Sequence, residues 1–305
     1  MFRLAHISDI HLGPLPALSV IELASKRITG FVNWHRNRRR HLFANTLDLL
    51  MDDLERRNPD HLAITGDLVN LAAAVEIETV ACWLKDAGKP ENISVVPGNH
   101  DAYVPGAHER SSRAWYPYMR GDDAPAEWSA DHPVFPYMRV RGNVALIGCS
   151  TAVATPPFAA SGYFGRRQAR ATVNLLQAAG EAGLFRVVMI HHPPIRGATS
   201  LHKRMIGIRR FAATISSGGA ELVLHGHTHF NTVHWLLSST GGQVPVVGIA
   251  SASQGPGGHK PPAAYNLFEI SGEPGRWNLM RERYELDASG SDIMLAETTR
   301  FPMGE

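Results

Sequence analysis

Two cysteines, Cys82 and Cys149, are all that the 305 residues contain. One disulfide between them is possible but nothing in the sequence supports it, and a reducing compartment is the default. Both lie among apolar neighbours and are expected as buried thiols. Long hydrophobic runs are also missing. No stretch reaches the ~18 apolar residues of a membrane span. Asp9 and His11 interrupt the N-terminal region, so the basic-then-apolar order of a secretory leader is not seen. The expected location is cytoplasmic, with a peripheral position at the inner membrane surface as the variant. Charge of either sign nearly cancels: 30 Lys and Arg face 28 Asp and Glu, a net +2. This implies no global field for polyanions, and nucleic acid is not the expected partner.

Histidine, by contrast, is plentiful at 16 residues, and 44% of the chain is hydrophobic, ample for a core. Length fits one or two domains. Motifs spread from position 9 to 229 without a dividing linker favour one domain over 1–305.

Most of the histidines that carry chemistry come directly after short apolar runs. Leu222-Val-Leu-His225 reads as a strand leaving through Gly226-His227-Thr228-His229. Two imidazoles one residue apart can share a metal or serve two neighbouring ones. Phe2 to Ser8 reads as an opening strand that runs into Asp9-Ile10-His11. A helical period over 41–57, closed by Asn58-Pro59, leads to the run His61–Thr65, which ends in Gly66-Asp67. That is a strand, helix, strand unit with parallel strands, in which ligands gather at the carboxyl ends. A helix over 72–87 leads to Ile93–Pro97 and then Gly98-Asn99-His100-Asp101. Asn99 offers a neutral carbonyl oxygen, and Asp101 beside His100 suggests a carboxylate-oriented imidazole. Further strands are expected at 144–148 and 185–190, the latter stopped by His191-His192-Pro193-Pro194. Helices are expected at 166–179 and 202–217.

Three stretches fall outside this pattern. Residues 17–41 place Val20, Ile21, Ala24, Ile28, Phe31 and Val32 on one helical face, with Lys26, Arg27, Arg36, Arg38, Arg39 and Arg40 around and after it. A surface helix with a solvated basic end is the default for so balanced a chain; the sharper expectation is a peripheral membrane or polyanion contact. Residues 102–140, rich in Pro, Trp, Tyr and charge, are expected as a surface excursion forming a lid or substrate wall. The runs 244–249, 265–270 and 277–286 alternate and are expected together in a second sheet. The Gly255-Pro-Gly-Gly258 loop lacks a following helix and is not a nucleotide-binding loop.

Asp9-x-His11, Gly66-Asp67, Gly98-Asn99-His100-Asp101, His191-His192-Pro193-Pro194 and Gly226-His227-x-His229, in this order, resemble the calcineurin-like metallophosphoesterase superfamily. The resemblance implies an α/β fold, a four-layer α/β/β/α sandwich with two mixed sheets. It implies two divalent ions (Mn, Fe or Zn), one held by Asp9, His11, Asp67 and His229, the other by Asp67, Asn99, His191 and His227. His191 is preferred to His192 because the family's ligand comes directly after the strand. The motif set looks most like small bacterial phosphodiesterases of the cyclic-nucleotide type, with attack by a hydroxide bridging the metals and His100, oriented by Asp101, as general acid. A lipid or nucleotide-lipid substrate reached at a membrane surface is the alternative, and a non-catalytic metal-binding scaffold the second. The expected partner is a small phosphate ester; oligomeric state is left open.

Overall fold

β1 (Phe2–Ile7) forms as its apolar run suggests and becomes the hinge of the first sheet. The computed structural model describes residues 1–16, 25–36, 44–132, 134–238 and 241–303. In space the first sheet runs β14 (Ile293–Phe301), β13 (Arg276–Leu286), β12 (Ala264–Glu273), β1, β2 (His61–Ile64) and β3 (Ile93–Val95). β1 pairs in parallel with β2, Ile7 opposite Ile64, and β2 with β3, Ile64 opposite Val95. The second sheet runs β10 (Thr232–Leu237), β11 (Gln243–Gly248), β9 (Leu222–His225), β7 (Phe185–Met189), β5 (Val144–Gly148) and β4 (Tyr137–Arg141). Its four central strands are parallel; β4 and β10 are antiparallel edges.

Side-chain alternation builds the layers. Val144, Leu146, Val187, Met189, Leu222 and Leu224 face the first sheet and share its core. The residues between them, Ala145, Ile147, Val188 and Val223, pack outward beneath α6 (Arg166–Glu181) and α7 (Ile208–Gly218), with Leu176 and Phe211. On the first sheet, α2 (Ala44–Arg56) supplies Leu47, Leu50 and Leu54, and α3 (Ala74–Ala87) supplies Ile77, Val80 and Leu84. Two mixed sheets between helical layers is the architecture expected.

Several expectations need correction. The late strands do not stay together: β11 joins the second sheet beside β9, whereas β12 and β13 return to the first. The reason is β1, whose second edge pairs antiparallel with β12, Leu4 opposite Phe268. The start of the stretch 102–140 is no surface excursion. It holds α4 (Ala107–Ala114) and α5 (Tyr116–Met119), and Trp115 is fully buried, its Nε1 donating to the Ile77 carbonyl at 3.0 Å. Its aromatic content is core material. Helix 202–217 begins later, at Ile208, because Met205–Ile206 (β8) pairs with Gly162–Tyr163 (β6). Cys149 is buried, which pushes its thiol up to about 12, but Cys82 is exposed, two positions off the Val80–Leu84 face of α3. Of the segment 17–41, residues 17–24 and 37–41 lie outside the described residues; the rest contains α1 (Arg27–Arg36). Phe31 packs on the core, Ile28 is exposed, and Arg27 donates to the carbonyls of Leu71 and Ala72 at 3.0 and 2.7 Å.

His61 makes a stability prediction. It is buried on β2 with Nε2 2.8 Å from Ser94 Oγ, and burial, then Arg139 and Arg141, lowers its pKa to about 3. The unfolded chain protonates this ring near 6.5. Between those values the unfolded state binds the extra proton, so this contribution is intact above about pH 6.5 and is lost progressively as pH falls towards 3. Urea titrations across that window are expected to show His61→Gln losing less stability on acidification than the parent; parallel pH curves would remove His61 from the account.

Candidate metal centre

Every ligand candidate sits just past the carboxyl end of a parallel strand: Asp9 and His11 after β1, Asp67 after β2, Asn99 after β3, His191 after β7, and His227 and His229 after β9. To gather there, the chain accepts strain. Asp9, His11, Asp67, His227 and His229 all have positive φ, between 45° and 70°. Each such residue costs on the order of 1–3 kcal/mol and persists only where the surroundings impose it. Here the turns are tied to one another: Asp9 N–H donates to Gly66 O, His11 N–H to Asp67 O and Leu12 N–H to Leu68 O, at 2.8–2.9 Å. Two glycines allow the close approach. A Cβ on Gly98 would strike the Asp67 carboxylate, and one on Gly226 would strike Ser8 and Asp9.

The side chains form two groups that meet at Asp67. On one side, His229 Nε2 lies 3.1 Å from Asp9 Oδ1 and 3.4 Å from His11 Nε2. On the other, His191 Nε2 lies 3.4 Å from Asp67 Oδ2 and 3.3 Å from Asn99 Oδ1. His227 joins Asp67 and His191 within 4.8 Å. His11 Nε2 is 4.0 Å from the same Asp67 Oδ2, so that oxygen faces both groups.

Three of the four ligand imidazoles are aimed by their other nitrogen. His11 Nδ1 donates to Val69 O at 3.1 Å, His191 Nδ1 to Thr65 O at 2.6 Å, and His227 Nε2 to Lys203 O at 2.9 Å. A backbone acceptor behind a ligand ring fixes its tautomer. His192 differs: Nδ1 accepts from the Thr151 hydroxyl at 2.7 Å and Nε2 donates to Ala160 O at 3.1 Å. With both nitrogens engaged it packs behind His227, ring centroids 4.4 Å apart. His191 therefore presents a nitrogen to the cluster and His192 does not.

The electrostatics suit cations. Burial would raise Asp9, but His229 beside it holds the carboxyl well below its usual range. Burial would likewise raise Asp67, which His191 and His100 hold low. Burial lowers His191, yet the Asp67 carboxylate lifts it to about 9. Asp9 Oδ1 is buried, with no aligned hydrogen-bond donor among the described residues. An orphaned carboxylate oxygen among imidazole nitrogens fits a divalent ion, and oxygen with imidazole suits Mn, Fe or Zn.

His100 closes the group. Its backbone N–H donates to Asp67 Oδ1 at 2.7 Å, and its ring lies edge-on to His11, centroids 4.8 Å apart. Nδ1 donates to Asn70 O at 2.5 Å, and Tyr103 stacks on the ring at 5.3 Å. Asp101 does not orient it. That fully buried carboxylate accepts four backbone N–H groups, from Asp67, Leu68, Val69 and Gly98, at 2.8–3.2 Å. It pins the β2 and β3 turns together. Burial and the Asp67 charge push it up to about 7 against those bonds.

A family model for calcineurin-like phosphoesterases matches residues 2–231. The chain belongs to that family. Solved structures agree on the fold. A dimetal phosphatase from Danio rerio aligns over 99% of both chains at TM-score 0.60 and 12% identity. The purple acid phosphatase PPD1 of yellow lupin aligns over 98% of this chain and 53% of its own, at TM-score 0.60 and 11% identity. GAP50 of Plasmodium covers all of this chain and 89% of its own, at 0.52 and 12%. No curated protein matches the sequence. The family is dinuclear-metal dependent, and the His and Asp groups of this phosphoesterase are ones that could hold such metals.

All seven ligand positions expected in this phosphoesterase, with His100, lie together at one end of the sheets. Asn70, Thr65, Val69 and Lys203 carry no sequence signal, because each acts through a backbone carbonyl that any residue supplies. Tyr103 lies in the stretch expected at the surface, where its aromatic ring gives no hint of its stacking on His100.

Proposed function

We propose that this phosphoesterase hydrolyses small phosphodiesters such as cyclic nucleotides. One divalent ion is assigned to Asp9, His11, Asp67 and His229, and a second to Asp67, Asn99, His191 and His227. The observation that carries the reading is the shared Asp67 oxygen, facing His11 on one side and His191 on the other. Two divalent ions held by these residues would supply Lewis acidity toward phosphoryl oxygens and lower the pKa of bound water.

The chain's own residues do the rest. Asp9 and Asp67 offset part of the cationic charge and leave the site attractive to a phosphate anion. Gly98 and Gly226 let the ligand turns close up on Asp67 and Asp9. The Asn70 carbonyl holds His100 by Nδ1, and Nε2 of the protonated ring is the atom assigned to hand a proton to the departing alkoxide. Tyr103 keeps the ring from rotating.

Mn²⁺-loaded protein assayed in parallel on bis(p-nitrophenyl) phosphate, 2′,3′- and 3′,5′-cyclic AMP and p-nitrophenyl phosphate tests this reading. Diester turnover at least tenfold above the monoester is the expected result. Preference for the monoester would make it a phosphatase, and no turnover with both metals loaded would make it a scaffold.

A further inference from the structure

The nearly balanced total charge conceals a polarised chain. Between residues 132 and 268 there are ten Arg and two Lys against only two acids, Glu181 and Glu221. Neither acid is near the metal centre. Glu181 ends α6, and Glu221 precedes β9 and pairs with Arg186 at 2.5 Å, at the strand ends opposite the ligands. The second sheet's connecting segments at the ligand end, 150–165, 191–207, 226–231 and 249–262, contain no acidic residue.

Two of these loops form one surface. Ala160 N–H donates to His202 O at 2.9 Å, Gly162 N–H to Arg204 O at 3.3 Å, and β6 pairs with β8 beyond them. From this joined surface four large apolar side chains stand in solvent: Phe158 at 84% exposure, Leu201 at 74%, Ile206 at 53% and Tyr163 at 48%. Phe158 also holds positive φ, 67°, at its loop tip. A bulky residue there is an outlier, which a merely solvated turn would not require. Arg196, Lys203 and Arg204 are exposed among them. The patch borders the metal site directly, since Lys203 O accepts from His227 and Ala160 O from His192.

We infer that this face docks on an anionic phospholipid bilayer, with Phe158 and Leu201 entering the headgroup–acyl boundary and Arg196, Lys203 and Arg204 meeting the lipid phosphates. Apolar tips flanked by cations match an interfacial membrane contact, whereas a groove for nucleic acid would track phosphates with cations and stack bases on aromatic rings. Docking in this orientation turns the metal centre towards the headgroup layer.

The test is co-sedimentation of metal-loaded protein with vesicles of phosphatidylcholine alone and of phosphatidylcholine with phosphatidylglycerol. Binding to the anionic vesicles only, weakening with added salt, is expected. Phe158→Ser/Leu201→Ser and Arg196→Glu/Arg204→Glu should each lower partitioning by roughly tenfold or more while circular dichroism and bis(p-nitrophenyl) phosphate turnover stay unchanged. No sedimentation with either vesicle overturns the proposal, as does sedimentation that both double variants leave intact. Retention of single-stranded DNA with no vesicle binding overturns it in favour of a nucleic-acid partner.

Discussion

Asp67→Asn is expected to lower kcat/KM on bis(p-nitrophenyl) phosphate by on the order of 10³ or more. Asp67 faces both ligand groups: Oδ2 lies 3.4 Å from His191 Nε2 and 4.0 Å from His11 Nε2, while Oδ1 accepts the His100 N–H. The amide keeps the shape but removes the negative charge from between two proposed cations, and presents a donor where a ligand oxygen is needed. Losing a single preorganised contact to a reacting centre already costs about 10²–10³. Metal content measured by elemental analysis should fall together with activity while the far-ultraviolet circular dichroism stays that of the parent. Full metal content with full activity would remove Asp67 from the bridging position.

The second large effect is selective. His100→Ala should lower turnover of diesters with alkoxide leaving groups by about 10²–10⁴, the usual range for a general acid. Aryl diesters, whose phenolate leaves without help, should lose far less. The geometry supports this split, because His100 is anchored by Asn70 O and Tyr103 beside the Asp67 group and is itself only partly buried. Equal losses on both substrate types would remove His100 from the acid role, since the backbone N–H donated to Asp67 Oδ1 is kept by alanine.

The site is legible in the sequence because buried parallel strands read as unbroken apolar runs, and ligands collect in the turns just beyond their carboxyl ends. Ile7, Ile64, Val95, Met189 and His225 end the five strands that matter, and each ligand motif lies within a few residues of one of them. The fold's two halves are less legible. β11, β12 and β13 have similar local patterns, and whether each joins β9 or β1 is decided by which edge is open in three dimensions. β14 gives no clear signal, as an edge strand whose residues between Ile293 and Phe301 are mostly exposed. Asp101 misleads because adjacency in sequence suggests contact with His100, whereas its carboxylate turns inward to four amides. The net charge is easily read, but a sum cannot show that acids are nearly missing from 132–268.

These side chains are expected to hold two ions. Chelator-stripped protein titrated with Mn²⁺, with bound metal and bis(p-nitrophenyl) phosphate hydrolysis measured on the same samples, tests this most directly. Binding of two ions per chain, with activity rising as the second binds, is the expected result. Full activity with one ion bound, or hydrolysis that survives complete removal of metal, would contradict it.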